Sequence, residues 1–238
     1  MKKRLLLSAI LLPVMVSCEH SGRIIDPLPP PVVFVEPSAP ASPRPAPTPP
    51  APRSVRPIRG ATIVVDPGHG GKDTGALGRG GMNEKEIVLS VGLQVARQLE
   101  ARGATVITTR TTDRFIELSD RAAIAQRSRA DLFVSIHADA APNNHNASGF
   151  SVHIYNRASL QSQKAAYAIL NAVKRAGIET RGIYRGNFYV LREHSRPAVL
   201  IECGFLTNAG DRRLLNDPAH RQRLASLIVE GIADYFGQ

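Results

Sequence analysis

Tryptophan is absent from this 238-residue chain, aromatic residues make up only 5% of it, and there are two cysteines, Cys18 and Cys203. Each shortage excludes something. Nucleic-acid recognition asks for a basic stripe interleaved with aromatic stacking residues. Here the arginines are scattered among acids, and no nucleic-acid partner is expected. The formal net charge is +10, but Lys2, Lys3 and Arg4 supply +3 of it, and residues 19–57, with four Arg against three acids, another +1. The remainder is modestly basic, which suits a negatively charged polymer or a membrane face equally well. Two cysteines, one of them close to the N-terminus, cannot make a disulfide framework. No apolar run reaches the length of a membrane-spanning helix, and no internal repeat occurs.

Residues 1–18 place a basic tip before a short apolar stretch, a small residue and then Cys18. That order reads as an export signal, to be set apart from the fold. Its end, Val16-Ser17-Cys18, resembles a bacterial lipoprotein signal whose cleavage leaves Cys18 as a lipidated N-terminus, although Met15 stands where that pattern usually has Leu. An ordinary secreted protein is the alternative. Several acyl chains on one cysteine anchor firmly. Glu19, rather than the aspartate associated with inner-membrane retention, follows Cys18, so the resemblance implies a periplasmic protein anchored to the outer membrane. Residues 19–59 read as a proline-rich linker, since 13 of the 18 prolines fall between 19 and 57. Such a stretch buries too little apolar surface to offset its ordering entropy and forms a semi-extended spacer. Residues 60–238 are then one domain with a single core.

Within that domain, apolar runs alternate with helical stripes. Strands are expected at 61–66, 104–109, 131–136, 149–155 and 197–202. Helices are expected at 86–100, 118–130 (capped from Ser119 or Asp113), 159–176 and 218–236. The alternation predicts an α/β domain around a twisted, mainly parallel (mixed) sheet flanked by helices. Ligands of such folds lie beyond the carboxyl ends of the strands.

Four residues fall at or near those ends: His69 in D-P-G-H-G-G, His137 in S-I-H-A-D, Glu202 in I-E-C-G-F, and Glu84 just before the first long helix. A catalytic zinc takes three N or O ligands and keeps one position open. His69, Glu84 and His137 supply such a set, and one zinc ion there would activate water and polarise a carbonyl. Glu202 is then the group to manage the proton. Singly, each has a plainer reading. The histidines could cap turns, and Glu84 could be a helix N-terminal acid favoured by the dipole. An acid ending the run V-L-I has to be paired or reactive. The glycine-rich loop lacks the spacing of a phosphate-binding loop. Cys203 reads as a small buried hydrophobe, His145 and His153 as surface or strand-face residues, and His194 as a substrate-cleft candidate.

At these residues the chain resembles the bacterial zinc-dependent N-acetylmuramoyl-L-alanine amidases of the type-3 family. The likeness runs over about 62–236 and includes V-V-D-P-G-H-G-G-K-D-T-G-A, Glu84-Lys85, T-T-R-T-T-D at 108–113, L-x-x-R at 118–121, D-L-F-V-S-I-H-A-D at 131–139 and P-A-V-L-I-E-C-G-F-L-T-N at 197–208. It implies zinc on His69, Glu84 and His137, catalysis by Glu202, and hydrolysis of the amide between N-acetylmuramic acid and L-alanine in peptidoglycan. Arg110 and Arg121 match family arginines, in packing, ion pairing or substrate contact. Asp139 stands where relatives often have Asn. Some division amidases insert a blocking helix after the S-I-H strand and need a protein activator. The short 138–148 loop implies an open site, unless residues 178–189 cover it. Two other readings stay open: a zinc peptidase acting within wall peptides, and a peptidoglycan-binding lipoprotein without turnover.

Overall fold

In the computed structural model, which describes residues 58–78 and 80–237, the expected alternation resolves into a six-stranded sheet between two helical layers. The chain runs β1 (Thr62–Pro67), α1 (Glu84–Ala101), β2 (Thr105–Thr108), α2 (Leu118–Arg127), β3 (Leu132–Asp139), β4 (Phe150–Tyr155), α3 (Leu160–Arg175), β5 (Thr180–Gly186), α4 (Tyr189–Arg192), β6 (Ala198–Phe205), α5 (Ala209–Asn216) and α6 (Pro218–Phe236). The strand order is β2-β1-β3-β6-β4-β5. The first four are mutually parallel, β4 runs antiparallel to β6, and β5 is parallel to β4. The sheet is therefore mixed and mostly parallel, as the sequence pattern implies.

Continuous apolar runs make strands that must be covered on both faces. One face carries Ile63, Val65, Val134, Ile136, Val199, Ile201 and Val152 into a single large core with α1, α3 and α6. The other has a smaller core in which Val64, Phe133, Ala198 and Leu200 meet Ala125 of α2 and Val190 and Leu191 of α4. Those two helices have only ten and four residues, or roughly 15 Å and 6 Å of cover. They cannot roof the whole face. Beyond them, at the carboxyl ends of β1, β3 and β6, the side chains are polar.

The structure departs from the sequence reading in several places. Ile58 is buried in the large core, so the domain begins before residue 60. Glu84 lies inside the first turn of α1, not in the loop before it. Glu117, not Ser119 or Asp113, occupies the N-cap position of α2, without a side-chain cap bond; Asp113 is engaged elsewhere, as shown below. Residues 178–189 do not cover the site: they supply β5, the outermost strand, and the start of α4. Residues 140–149 between β3 and β4 contain turns and no helix. The export signal with Cys18 and the proline-rich segment through residue 57 lie outside the described residues, among which no helix is long and apolar enough to cross a membrane.

A buried ion pair joins the layers. Asp66, 1% exposed, accepts hydrogen bonds from Thr109 Oγ1 (2.6 Å), Arg121 Nη1 (2.7 Å) and Ser135 Oγ (2.8 Å), linking β1 to the end of β2, to α2 and to β3. Removing one partner of such a pair strands the other charge without solvent. Arg121→Ala is expected to lower unfolding free energy by about 3–5 kcal/mol, read as a lower midpoint in urea denaturation. A loss under about 1 kcal/mol would show that the network carries little of the fold.

Candidate metal centre

Four polar residues near the strand ends expected to form the site come together, each placed by a different element. His69 follows β1, Glu84 opens α1, and His137 and Glu202 are register partners on the adjacent parallel strands β3 and β6. Glu84 Oε1 lies 2.9 Å from His69 Nε2 and 3.0 Å from His137 Nδ1, and the two nitrogens are 3.2 Å apart. Neighbouring ligands on a tetrahedral zinc, at bonds of about 2.0–2.2 Å, stand roughly 3.3 Å from one another. The three donor atoms match that spacing.

Local backbone dictates this convergence. His69 has φ 58°, in the left-handed region that residues other than glycine seldom occupy. Arg121 Nη2 donates to the His69 carbonyl (2.6 Å), and Arg110 Nη2 donates to that of Gly68 (2.6 Å). Arg110 also donates to the carbonyls of Pro67, Thr112 and Lys85. Both guanidiniums are buried. Burial and the neighbouring Arg121 push the Arg110 pKa down, and the ring of carbonyls it grips offsets part of that cost. The two arginines act as positioning residues for the histidine loop.

Two glycines admit the ligands. A side chain at Gly68 would meet the His137 ring at 2.2 Å; one at Gly75, φ +66°, would meet Glu84 Oε2 at 2.5 Å. The loop is also tied to α1. Asp113 accepts from Gly71 N–H (2.7 Å) and from Lys85 Nζ (2.7 Å), while Lys85 Nζ also donates to the Gly71 carbonyl (2.9 Å). Lys85 is the larger cause of the lowered Asp113 pKa.

The electrostatics favour a cation. Burial works against the charged form of Glu84, yet hydrogen bonds from His137 and then His69 prevail and hold its carboxyl below the usual carboxylate range. Ala76 N–H and Ala138 N–H donate to its two oxygens at 2.8 and 3.0 Å. Burial would lower His69, but Glu84 and Asp73 raise it further. A carboxylate environment that favours a proton on imidazole also favours a metal cation beside it. Asp73 Oδ2 is 2.9 Å from His69 Nδ1, a carboxylate orienting the ring so that Nε2 faces the other ligands. Sequence reasoning passed over Asp73, although its place four residues after His69 was a signal.

The remaining candidates separate. Glu202 is buried, faces the same side of the sheet as His137, and has Ser151 as its partner on β4. Asp139 sits at the register shift ending β3, where Oδ1 accepts from Ala140 N–H (2.7 Å) and its carbonyl accepts from Leu206 N–H (2.8 Å). His194 is not part of this cluster: its ring packs edge-on against Phe133, near the opposite end of β3. Cys203 points into the large core, where burial raises its thiol pKa, so it is no nucleophile.

The family model described as N-acetylmuramoyl-L-alanine amidase matches residues 63–234, the span containing every one of these groups. The chain belongs to that family. It is 37% identical to amidase AmiC2 of Nostoc punctiforme, whose solved structure superposes with a TM-score of 0.71 over 75% of this chain and 98% of that one. The amidase of Clostridium difficile 630 gives 36% identity and a TM-score of 0.73, over 75% and 97%. Among curated sequences, the uncharacterized YqiI of Bacillus subtilis is 35% identical over 79% of this chain and 91% of its own. The probable cell wall amidase LytH of Staphylococcus aureus is 38% identical over 76% of this chain, which spans 60% of LytH. Family and triad together make this chain an amidase-type hydrolase of the bond between N-acetylmuramic acid and L-alanine.

Asp73 supplies a test of this amidase site independent of turnover. Asp73→Ala is expected to weaken zinc binding about 10–100-fold, read by competition with a chromogenic chelator. Wild-type affinity in the variant would remove Asp73 from the site.

Proposed function

We propose that His69, Glu84 and His137 hold one zinc ion and that Glu202 is the catalytic residue of the amidase reaction. The observation that carries this is the register of β3 and β6. His137 and Glu202 are Cα partners on one face, so a metal ligand and a buried carboxyl stand side by side on adjacent strands about 4.8 Å apart. Bound zinc would supply Lewis acidity toward the amide carbonyl and toward water.

The residues of the chain divide the remaining work. Glu202 accepts a proton from the attacking water as the new C–O bond forms. It then returns that proton to the leaving nitrogen as the C–N bond breaks. The products are the free lactyl carboxylate of the glycan and a peptide beginning with L-alanine. Arg110 and Arg121 keep His69 in its left-handed conformation, so the ligand set need not reorganise when substrate arrives.

The cell wall is the substrate, and the N-terminal sequence suggests how the enzyme is kept beside it. Lipidated at Cys18 and tethered through the proline-rich segment, the domain would work in the periplasm from the outer membrane, at a raised effective concentration near the wall. Support for the anchor is the order of residues 1–19 alone. One relative, the CwlD amidase of Clostridioides difficile, has been solved in complex with the GerS lipoprotein. In the present chain no helix interrupts residues 140–149, which supports an open site without a built-in blocking helix.

The test is mass spectrometry of purified peptidoglycan digested by wild-type protein, by chelated protein and by Glu202→Gln. Wild type should release stem peptides with a new L-alanine amino terminus. Chelation should abolish the release. Glu202→Gln should lower kcat by about 10²–10⁴-fold with zinc content unchanged. Cuts deeper in the peptide would indicate a wall peptidase instead. Zinc-loaded, folded wild type that cuts nothing would point to an activator or to a binding role.

A further inference from the structure

Glu202 stands beside His137 at the carboxyl ends of β3 and β6, and the sheet continues outward from it through β4 to β5. Ser151 on β4 is opposite Glu202, and Gly182 on β5 is opposite Ser151. Two strand spacings put Gly182 about 10 Å from Glu202 along this line. A side chain built at Gly182 would meet nothing within 4 Å, so the strip is open at Gly182, outward of the buried Ser151. His153, two residues beyond Ser151 on the same face, places Nε2 3.2 Å from Ser151 Oγ and stacks on Tyr184 with ring centroids 5.3 Å apart.

Arg181 closes the far end of this strip. Thr180 pairs with Phe150 and Gly182 with Ser151, so Arg181 is the extra residue of a β-bulge, a device that re-aims a side chain beside a site. Its guanidinium lies over the Phe205 ring at 4.7 Å and 5.8 Å from that of Tyr184. Tyr184 Oη donates to the Arg181 carbonyl (3.4 Å). The Arg181 side chain is exposed and makes none of the ion pairs or hydrogen bonds found among the described residues. The nearest acid in sequence, Glu179, accepts from Ser148 Oγ at 3.1 Å. A permanently charged planar fork, held by two rings and lacking an acid, suits a carboxylate brought by a ligand.

Resting on the amidase reading above, we propose that Arg181 is a specificity residue that binds a free carboxylate of the stem peptide. Glu202 returns its proton to the leaving nitrogen, so the peptide half of the substrate lies on the Glu202 side and runs along this strip. Two extended residues span about 7 Å, and an arginine side chain reaches most of the rest. The carboxyl of the second stem residue is therefore the group within range.

The experiment uses two muramoyl peptides that differ only in whether that carboxyl is free or amidated, hydrolysed by wild type and by Arg181→Gln. Wild type should favour the free acid by about tenfold in kcat/KM, mostly through KM. The variant should bring the ratio close to one while keeping its zinc content. A wild type that does not discriminate, a ratio unchanged in the variant, or zinc lost from the variant would each overturn the proposal. Failure of the amidase reading would look different, because wild type would cut neither peptide.

Discussion

Two buried guanidiniums gripping the carbonyls at and just beyond the end of β1 are the constraint on which the candidate metal centre depends. Arg121 donates to Asp66, Pro67 and His69, and Arg110 to Pro67 and Gly68. Burying two like charges is costly on its own. The carboxylate of Asp66 compensates one, and the carbonyl oxygens, which must be satisfied in any case, compensate both. What results is a loop that leaves the sheet in one conformation, with His69 in the left-handed region and its ring turned toward Glu84. A strained backbone at a ligand persists only where its surroundings over-determine it, and here four hydrogen bonds to three consecutive carbonyls do so.

Glu84 sits at the meeting point of these restraints. It caps no peptide group of its own helix. Instead its oxygens accept from Ala76 in the histidine loop and Ala138 after His137, so a single carboxylate ties together the elements that carry the other two ligands. The macrodipole of α1 favours a negative charge at this position. The plain reading of Glu84 as a helix N-terminal acid is therefore compatible with its place in a cluster able to hold a metal. The glycines at 68 and 75 are the complement, because the ligand rings and the carboxylate occupy the space where side chains would stand.

The sheet explains why this chemistry lies at one edge of one face. α2 and α4 are too short to roof β1, β3, β6 and β4 to their ends, whereas α1, α3 and α6 pack the larger core on the other side. Apolar positions fill the covered part of the face, as Val64, Phe133 and Leu200 do. Two residues further along the same strands stand Asp66, Ser135 and Glu202, with His137 beyond Ser135. The period of two that makes the core thus also lines up the site, and the boundary between them is the reach of the short helices.

Much of this was legible in the residues. Apolar runs ending in Pro-Gly, in His137 and in Glu202 defined strands and located the edge where polar residues gather, and the four residues that converge there could be named from their positions. Arg110 and Arg121 were visible as residues but not as clamps, since their partners are backbone carbonyls that carry no sequence signature. His194 read as a substrate-cleft candidate, but its ring packs against Phe133, away from the cluster. Asp113, well suited by type to capping α2, instead bridges Gly71 and Lys85. Strand β5 escaped notice because its arginines and glycines lack alternation, and only pairing with β4 makes it a strand. The sequence by itself determined the fold class, the metal-binding residue types and the family, because local period and motif spacing survive without coordinates. The tertiary structure decided which backbone atoms the arginines hold and which face Arg181 joins, because strand order and register set these and neither is written in local sequence.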